Sequence, residues 1–192
     1  MASPASVKSW DDEADVVIAG SGVAGCAAAI EAHDRDPKAD ILMIEKMPEV
    51  LRGGNSRVSG QTLLISKNVE ALISYQRNMS RSNPIPEDML RSWAEQLVAL
   101  EPYIEERAKE AGNRYVHGGG WCDDQTVNEF PELGAEAAVE RVATILPVPS
   151  GTWLTFDKCV ALRPRVRRIF ECALVDLVQD PDTLEVLGVI VE

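Results

Sequence analysis

The sequence has no apolar run approaching the ~18–20 residues of a membrane span. Residues 1–15 lack the apolar stretch of a secretory leader. No basic segment is present: 31 acidic residues outweigh 19 basic ones, the formal charge is −12, and both halves of the chain are acidic. Nucleic-acid binding needs clustered Lys and Arg against phosphates, and an anionic membrane surface would repel this chain. Neither partner is expected. Aromatic residues are 5% of the total, so the core must be aliphatic. The 4 cysteines, Cys26, Cys122, Cys159 and Cys172, include no C-x-x-C pair. That argues against zinc and thioredoxin-type sites, and no metal is expected. Such cysteines suit reduced thiols in a cytoplasmic protein. What is present is ordinary globular composition, 45% apolar and 26% charged over 192 residues. That length is about one domain.

Residues 1–14 are small and polar and read as a flexible N-terminus. Asp15 to Ala19 is a β-branched run without alternation, the pattern of a strand buried on both faces. Val23 to about Asp36 reads as a helix, and Ile41 to Ile44 as a second buried strand. Strand, helix and strand within about 30 residues make a βαβ unit and a parallel sheet. Residues 62–66 read as a short strand and 68–79 as a helix. Leu90, Trp93, Ala94, Leu97 and Val98 follow helical spacing, with Pro86 at the start. A second helical run reaches Ala111, with Pro102 near its start and Gly112 as its stop. Residues 113–165 read as a loop-rich insertion, with short helices near 135–143 and over 151–163. Val166 to Gln179 reads as one strand, and Glu185 to Val191 as its hairpin partner.

Gly20-Ser21-Gly22-Val23-Ala24-Gly25 is G-x-G-x-x-G, placed between a buried strand and a helix as the dinucleotide motif requires. Gly20 makes the tight turn, Gly22 lets the backbone approach a pyrophosphate, and Gly25 lets the helix pack closely. The helix start offers free N–H groups to phosphate. Glu45 stands at the end of the second strand, where a carboxylate can accept both hydroxyls of an adenosine ribose. It would repel a 2′-phosphate, so NADP is not expected.

A second glycine segment follows: Gly53-Gly54-Asn55-Ser56-Arg57-Val58-Ser59-Gly60. Paired glycines let the backbone pass close to a flat ligand. This segment favours FAD over NAD, although an NAD-binding Rossmann protein stays as an alternative.

Together, the strand, Gly20–Gly25, Glu45-Lys46 and Gly53-Gly54-Asn55-Ser56 with Ser59-Gly60 resemble the FAD-binding domain of the fumarate reductase / succinate dehydrogenase flavoprotein family. That family includes 3-ketosteroid Δ1-dehydrogenases and tricarballylate-dehydrogenase-like enzymes. The resemblance covers 14–66 strongly and 67–112 more loosely, and returns in the 166–192 hairpin. It implies an α/β, Rossmann-like FAD-binding domain with an added β-hairpin. The parts are then 15–66 (dinucleotide core), 67–112 (helical), 113–165 and 166–192. It also implies that Gly20, Ser21, Gly22, Val23, Ala24 and Gly25 wrap the pyrophosphate, and that Glu45 holds the ribose with Lys46 beside it. Gly53, Gly54, Asn55 and Ser56 would run towards the isoalloxazine ring, Ser59, Gly60 and Gln61 would border the flavin, and Ala173 would touch the adenine.

The chemistry implied is hydride transfer between a substrate carbon and flavin N5, dehydrogenating or reducing a C–C bond of a small molecule. The family's substrate-clamping arginines and proton donor find no match here, so no catalytic residue is assigned. No histidine stands near Gly53 for a covalent flavin link. His33 and the cluster Arg163, Arg165, Arg167 and Arg168 read as solvated surface. His117 beside Tyr115 and Gly118-Gly119-Gly120 reads as loop, and Cys122 has no activating partner in the sequence. The expectation is the N-terminal part of a longer enzyme that lacks its C-terminal half or cap domain. The alternative is a truncated flavin-binding fragment without catalysis.

Overall fold

The computed structural model describes residues 1–60, 62–118 and 129–192. In chain order these hold β1 (Val16–Ala19), α1 (Val23–Arg35), β2 (Ile41–Ile44), α2 (Gly54–Val58), β3 (Leu63–Ile65), α3 (Val69–Ser80), α4 (Glu87–Val98) and α5 (Leu100–Ala111). There follow β4 (Arg114–His117), α6 (Ala135–Ala138), β5 (Arg141–Leu146), α7 (Gly151–Ala161), β6 (Val166–Ile169), β7 (Leu174–Gln179) and β8 (Val186–Val191). The chain divides into two units, 1–58 with 156–192, and 59–155.

The first unit carries the expected parallel sheet, in the order β1-β2-β6. Val16 to Ala19 pair with Ile41 to Ile44, which pair in turn with Val166 to Ile169. Central β2 is buried at every residue, as its unbroken Ile-Leu-Met-Ile run requires. β1 differs from expectation: Val17 is exposed while Ile18 is buried. Val17 and Ala19 point to the same face of the sheet, and both are exposed. α1 buries Cys26, Ala29 and Ile30, one stripe at helical spacing. Beyond the sheet, β7 and β8 form the expected antiparallel hairpin.

The single strand expected over Val166–Gln179 is two. Glu171 takes a left-handed φ of 54° and ends the run, so β6 joins β2 while β7 turns to β8. The N-terminal residues are also more ordered than their composition suggests. Ala2 N–H donates to Leu177 O at 2.9 Å and Gln179 N–H to Ala2 O at 3.1 Å. A Cβ on Gly188 would sit 2.5 Å from the Trp10 ring, so Trp10 packs directly against that glycine.

The second unit is built on an antiparallel sheet, β3-β5-β4. Strand β4 lies in the stretch read as loop; the helix read near 135–143 is only α6, ending at Ala138, and the last residues of that range belong to β5. Leu90 and Ala94 of α4 meet Leu72, Ile73, Ala135, Ala138, Val139 and Val142 in one core, with Leu97 and Val98 packed against it. The helical stripe of α4 therefore faces the core as expected except at Trp93, which is exposed. Pro102 falls in the first turn of α5, where its missing N–H costs nothing. Gly112 stops that helix at φ 69°, and Asn113 N–H reaches back to Ala108 O at 2.8 Å.

Candidate FAD site

The first glycine turn is held by the strand that precedes it and by its neighbour. Gly20 N–H donates to Ile44 O at 2.7 Å, and its φ of 97° is a conformation open to glycine. A Cβ on Gly25 would lie 1.9 Å from Gly20 O, so any side chain there collides with the turn. Gly22 precedes the helix in extended backbone, and Cys26 N–H donates to its carbonyl at 2.9 Å. A Cβ on Gly22 would come within 3.3 Å of Ser56 Oγ and 3.7 Å of Gly53 O. The two glycine segments thus face each other across the missing Cβ of Gly22.

Two side-chain bonds tie them, and Ser21 adds a link to Glu45. Ser56 Oγ accepts the N–H of Val23 at 3.1 Å, one of the helix-start donors that no helical carbonyl can reach. Ser21 Oγ accepts the N–H of Gly53 at 3.3 Å. The same hydroxyl donates to Glu45 Oε2 at 2.6 Å, while Ser21 N–H donates to that oxygen at 2.9 Å. Ser21 is therefore a buried tie between the turn, the end of β2 and the second glycine segment, a role beyond the pyrophosphate wrapping expected of it.

Glu45 is buried at 6% exposure and also accepts Met47 N–H at 2.9 Å through Oε1. Burial alone would raise its pKa. The Ser21 hydroxyl, the N–H groups of Met47 and Ser21, and the charge of Lys46 outweigh it and hold the carboxyl below its ordinary value. Its main chain is fixed as well: Glu45 N–H donates to Ile169 O at 2.9 Å, and Glu45 O accepts Cys172 N–H at 3.0 Å. Lys46 is exposed beside it.

The remaining expected residues fall as follows. Asn55 is exposed on α2, and Ala24 is exposed on α1. Ser59 and Gly60 are exposed and open the second unit, and Gln61 lies outside the described residues. Ala173 sits just beyond Cys172, but its N–H and C=O both bond Glu192, at 2.8 and 3.0 Å. Only the carbonyl's second lone pair is left for a ligand.

Of the side chains read as solvated surface, Arg165 is exposed as expected and Arg167 is partly exposed in an ion pair, while Arg163, Arg168 and His33 are covered. Arg163 is buried and grips Asp34 at 2.6 Å, Arg167 bridges Asp12 and Asp40, and Arg168 bonds Asp157 at 3.0 Å. His33 is mostly covered and lies 3.3 Å from Asp34. Each carboxylate partner is far away in sequence from its arginine or belongs to another element, so composition gave no signal of these pairs. Cys26 is a buried thiol pushed up to about 12, mainly by burial and then by Asp157. It is no nucleophile.

In the second unit, His117 ends β4 and shares Glu101 with Tyr115 and Arg141, at 3.1, 2.9 and 2.8 Å. Arg141 holds the Glu101 carboxyl below its ordinary value. Ligand atoms of Glu101, Glu105 and His117 lie within 4.8 Å of one another. Arg141 already forks onto both Glu101 oxygens, so that carboxylate is engaged in an ion pair within the chain. Gly119, Gly120, Trp121 and Cys122 lie outside the described residues.

A strand-turn-helix start, a buried ionised carboxylate at the next strand end and a facing second glycine segment define a dinucleotide-binding domain of the flavin type. The chain belongs to the FAD binding domain family, whose model matches residues 15–192. Its cofactor is FAD. N–H donors at the helix start suit a pyrophosphate, the ionised Glu45 suits hydroxyl donors, and the gap left by Gly22 lets a ligand meet backbone.

Over 51 residues the chain is 51% identical to the acrylate reductase flavoprotein subunit of Shewanella woodyi, a stretch covering 27% of this chain and 10% of the relative. Over 42 residues it is 57% identical to the NADH:fumarate oxidoreductase of Klebsiella pneumoniae, covering 22% and 4%. The fold matches the 3-ketosteroid-Δ4-(5α)-dehydrogenase of Rhodococcus jostii RHA1 with a TM-score of 0.73 at 23% identity, over 100% of this chain and 44% of that one. It matches the E. coli quinol fumarate reductase FrdA with a TM-score of 0.65 at 17% identity, over 93% and 29%. The chain thus spans less than half of either solved structure. Among the described residues, no helix is long and apolar enough to cross a membrane.

Proposed function

We propose that this chain supplies the FAD grip of an oxidoreductase that moves a hydride between a small-molecule substrate carbon and flavin N5, dehydrogenating or reducing a C–C bond. The bound flavin supplies the two-electron chemistry. The chain's own residues bind and orient. The observation that carries the reading is the facing of the two glycine segments at the start of α1, closed by Ser21 and Ser56.

In this reading the turn Gly20 to Gly25, with Val23 and Ala24, offers backbone N–H groups and the positive end of α1 to the pyrophosphate. Ser56 exchanges its bond to Val23 N–H for the ligand. Glu45 stays ionised and accepts the ribose hydroxyls with the lone pairs left over from Ser21 and Met47. Lys46 adds a cation at the rim. Gly53 and Gly54 let the chain run close to the ribityl arm, with Asn55 as an exposed hydrogen-bonding side chain. Ser59, Gly60 and Gln61 border the flavin, and the Ala173 carbonyl reaches the adenine.

The test is a titration of purified protein with FAD, NAD and NADP, followed by flavin fluorescence and visible absorbance. Equimolar FAD uptake with no competition from NADP is expected. A colourless protein that takes up no added FAD overturns the reading.

A further inference from the structure

Arg52 stands immediately before Gly53 and Gly54, and its guanidinium points away from them into a polar cluster. Its Nε and one terminal nitrogen fork onto the Asp157 carboxylate of α7, at 3.0 and 2.8 Å. Its other terminal nitrogen donates to Glu49 O at 2.8 Å. Arg168 of β6 approaches Asp157 from the other side, donating to Oδ1 at 3.0 Å and to the main-chain oxygen at 2.9 Å. The Asp157 side chain is 11% exposed, and its two arginines are mostly covered. All three belong to the first unit.

We infer that Asp157 is a positioning residue for FAD: shared between Arg52 and Arg168, it fixes the start of the second glycine segment in register with the first. The inference rests on the FAD reading above and extends it to residues that touch no ligand.

A Gly-Gly pair is the most freely rotating element a chain can carry. Left alone, Gly53 and Gly54 would cost binding energy to order around a ligand. The fork removes that freedom on one side. A planar guanidinium paired with a carboxylate through two parallel bonds fixes direction as well as distance. Asp157 is itself anchored by a helix, and Arg168 by a strand paired to β2. Gly53 N–H is also held by Ser21, and beyond the pair Ser56 Oγ accepts the N–H of Val23. The segment is therefore pinned at both ends, and Arg52 is the pin that borrows its rigidity from distant elements.

Charge offers a second way to tell positioning from background electrostatics. Two guanidiniums share one carboxylate, so Asp157→Asn raises the local positive charge. If Asp157 acted only as a nearby negative charge, that change would tighten binding of the anionic cofactor. Positioning gives the opposite sign.

The experiment compares wild type, Asp157→Asn and Arg52→Lys in FAD affinity, measured well below each melting temperature. Amide hydrogen exchange is followed in the ligand-free proteins. Asp157→Asn is expected to weaken FAD binding by about tenfold, and to speed exchange over 49–58 by a similar factor while 41–44 is unchanged. Arg52→Lys keeps the charge, loses the fork, and should behave the same way. It decides the matter alone if Asp157→Asn does not fold. The double variant should be no worse than the poorer single one, since both break one device. Unchanged or tighter FAD binding with unchanged exchange over 49–58 overturns the inference. A wild-type protein that takes up no FAD overturns the binding reading instead, and the exchange measurement still reports whether the pin exists.

Discussion

In the first unit the polar groups stand at the ends of parallel strands, where β1 hands over to Gly20 and β2 to Glu45. In the second unit the order comes from side-chain volume, with Leu72, Ile73, Leu90 and Ala94 closing a core beside an antiparallel sheet. The first is specified by backbone clearance: at Gly25 a single methyl would strike Gly20 O. The second tolerates any residue that fills its space. One unit should therefore lose function when an atom is added, the other stability when atoms are removed.

The sharpest break is Gly25→Ala. Its Cβ has no room, so we expect a loss above about 3 kcal/mol together with loss of FAD uptake. Urea unfolding and FAD titration measure the two. Retention of both would show that the turn can yield. Next comes Leu90→Ala in the second core, expected to cost about 2–5 kcal/mol in the same unfolding experiment. FAD affinity of the folded variant should stay within about twofold, since the change leaves the glycine segments intact. A large drop in affinity would dissolve the contrast between the units.

Smaller effects sharpen it. Ser21→Ala leaves Glu45 without its hydroxyl donor and Gly53 N–H without its acceptor, for a cost of about 1–3 kcal/mol. The smallest effect is on pH dependence. The folded-state pKa of Glu45 is lowered, so its contribution is complete above the ordinary carboxylate value, about 4.3, and is lost as pH falls through the folded value. FAD affinity should be flat from neutral pH down to the ordinary carboxylate value, about 4.3, and weaken only below it. In Ser21→Ala one of the lowering bonds is gone, and the weakening should begin at higher pH. Identical pH profiles for the two proteins would remove Ser21 from the Glu45 site.

Much of the first unit was legible in the sequence because its determinants are close together. Strand, glycine turn, helix, strand and carboxylate occupy residues 15–45 and impose one another. β2 reads as buried from its four apolar residues alone. What could not be read depends on distance along the chain. β4 and β5 pair across residues 114–146, in a stretch dense with Gly and Pro. β5 carries a run rich in β-branched residues, Val142 to Leu146, but its start overlaps the alanine-rich stretch that reads as helix. Arg52 and Asp157 are 105 positions apart, and Arg168 stands in a run of arginines that looks like solvated surface. The break between β6 and β7 turns on one left-handed residue, Glu171, of a type that rarely adopts that conformation. The Glu45 carboxylate was correctly placed at a strand end, but its bonds to Ser21 required a buried hydroxyl that the motif reads only as a spacer.

The central claim is that the two glycine segments face each other to admit FAD. Gly22→Ala tests it most directly. The φ of Gly22 is −68°, which alanine adopts freely, and the nearest atom to the new Cβ is the rotatable Ser56 Oγ at 3.3 Å. The fold should therefore survive with its melting temperature nearly unchanged, while the methyl fills the gap left for the cofactor. FAD affinity should fall tenfold or more, about 1.4 kcal/mol. An intact fold with wild-type FAD affinity would contradict the claim and move the cofactor away from this turn.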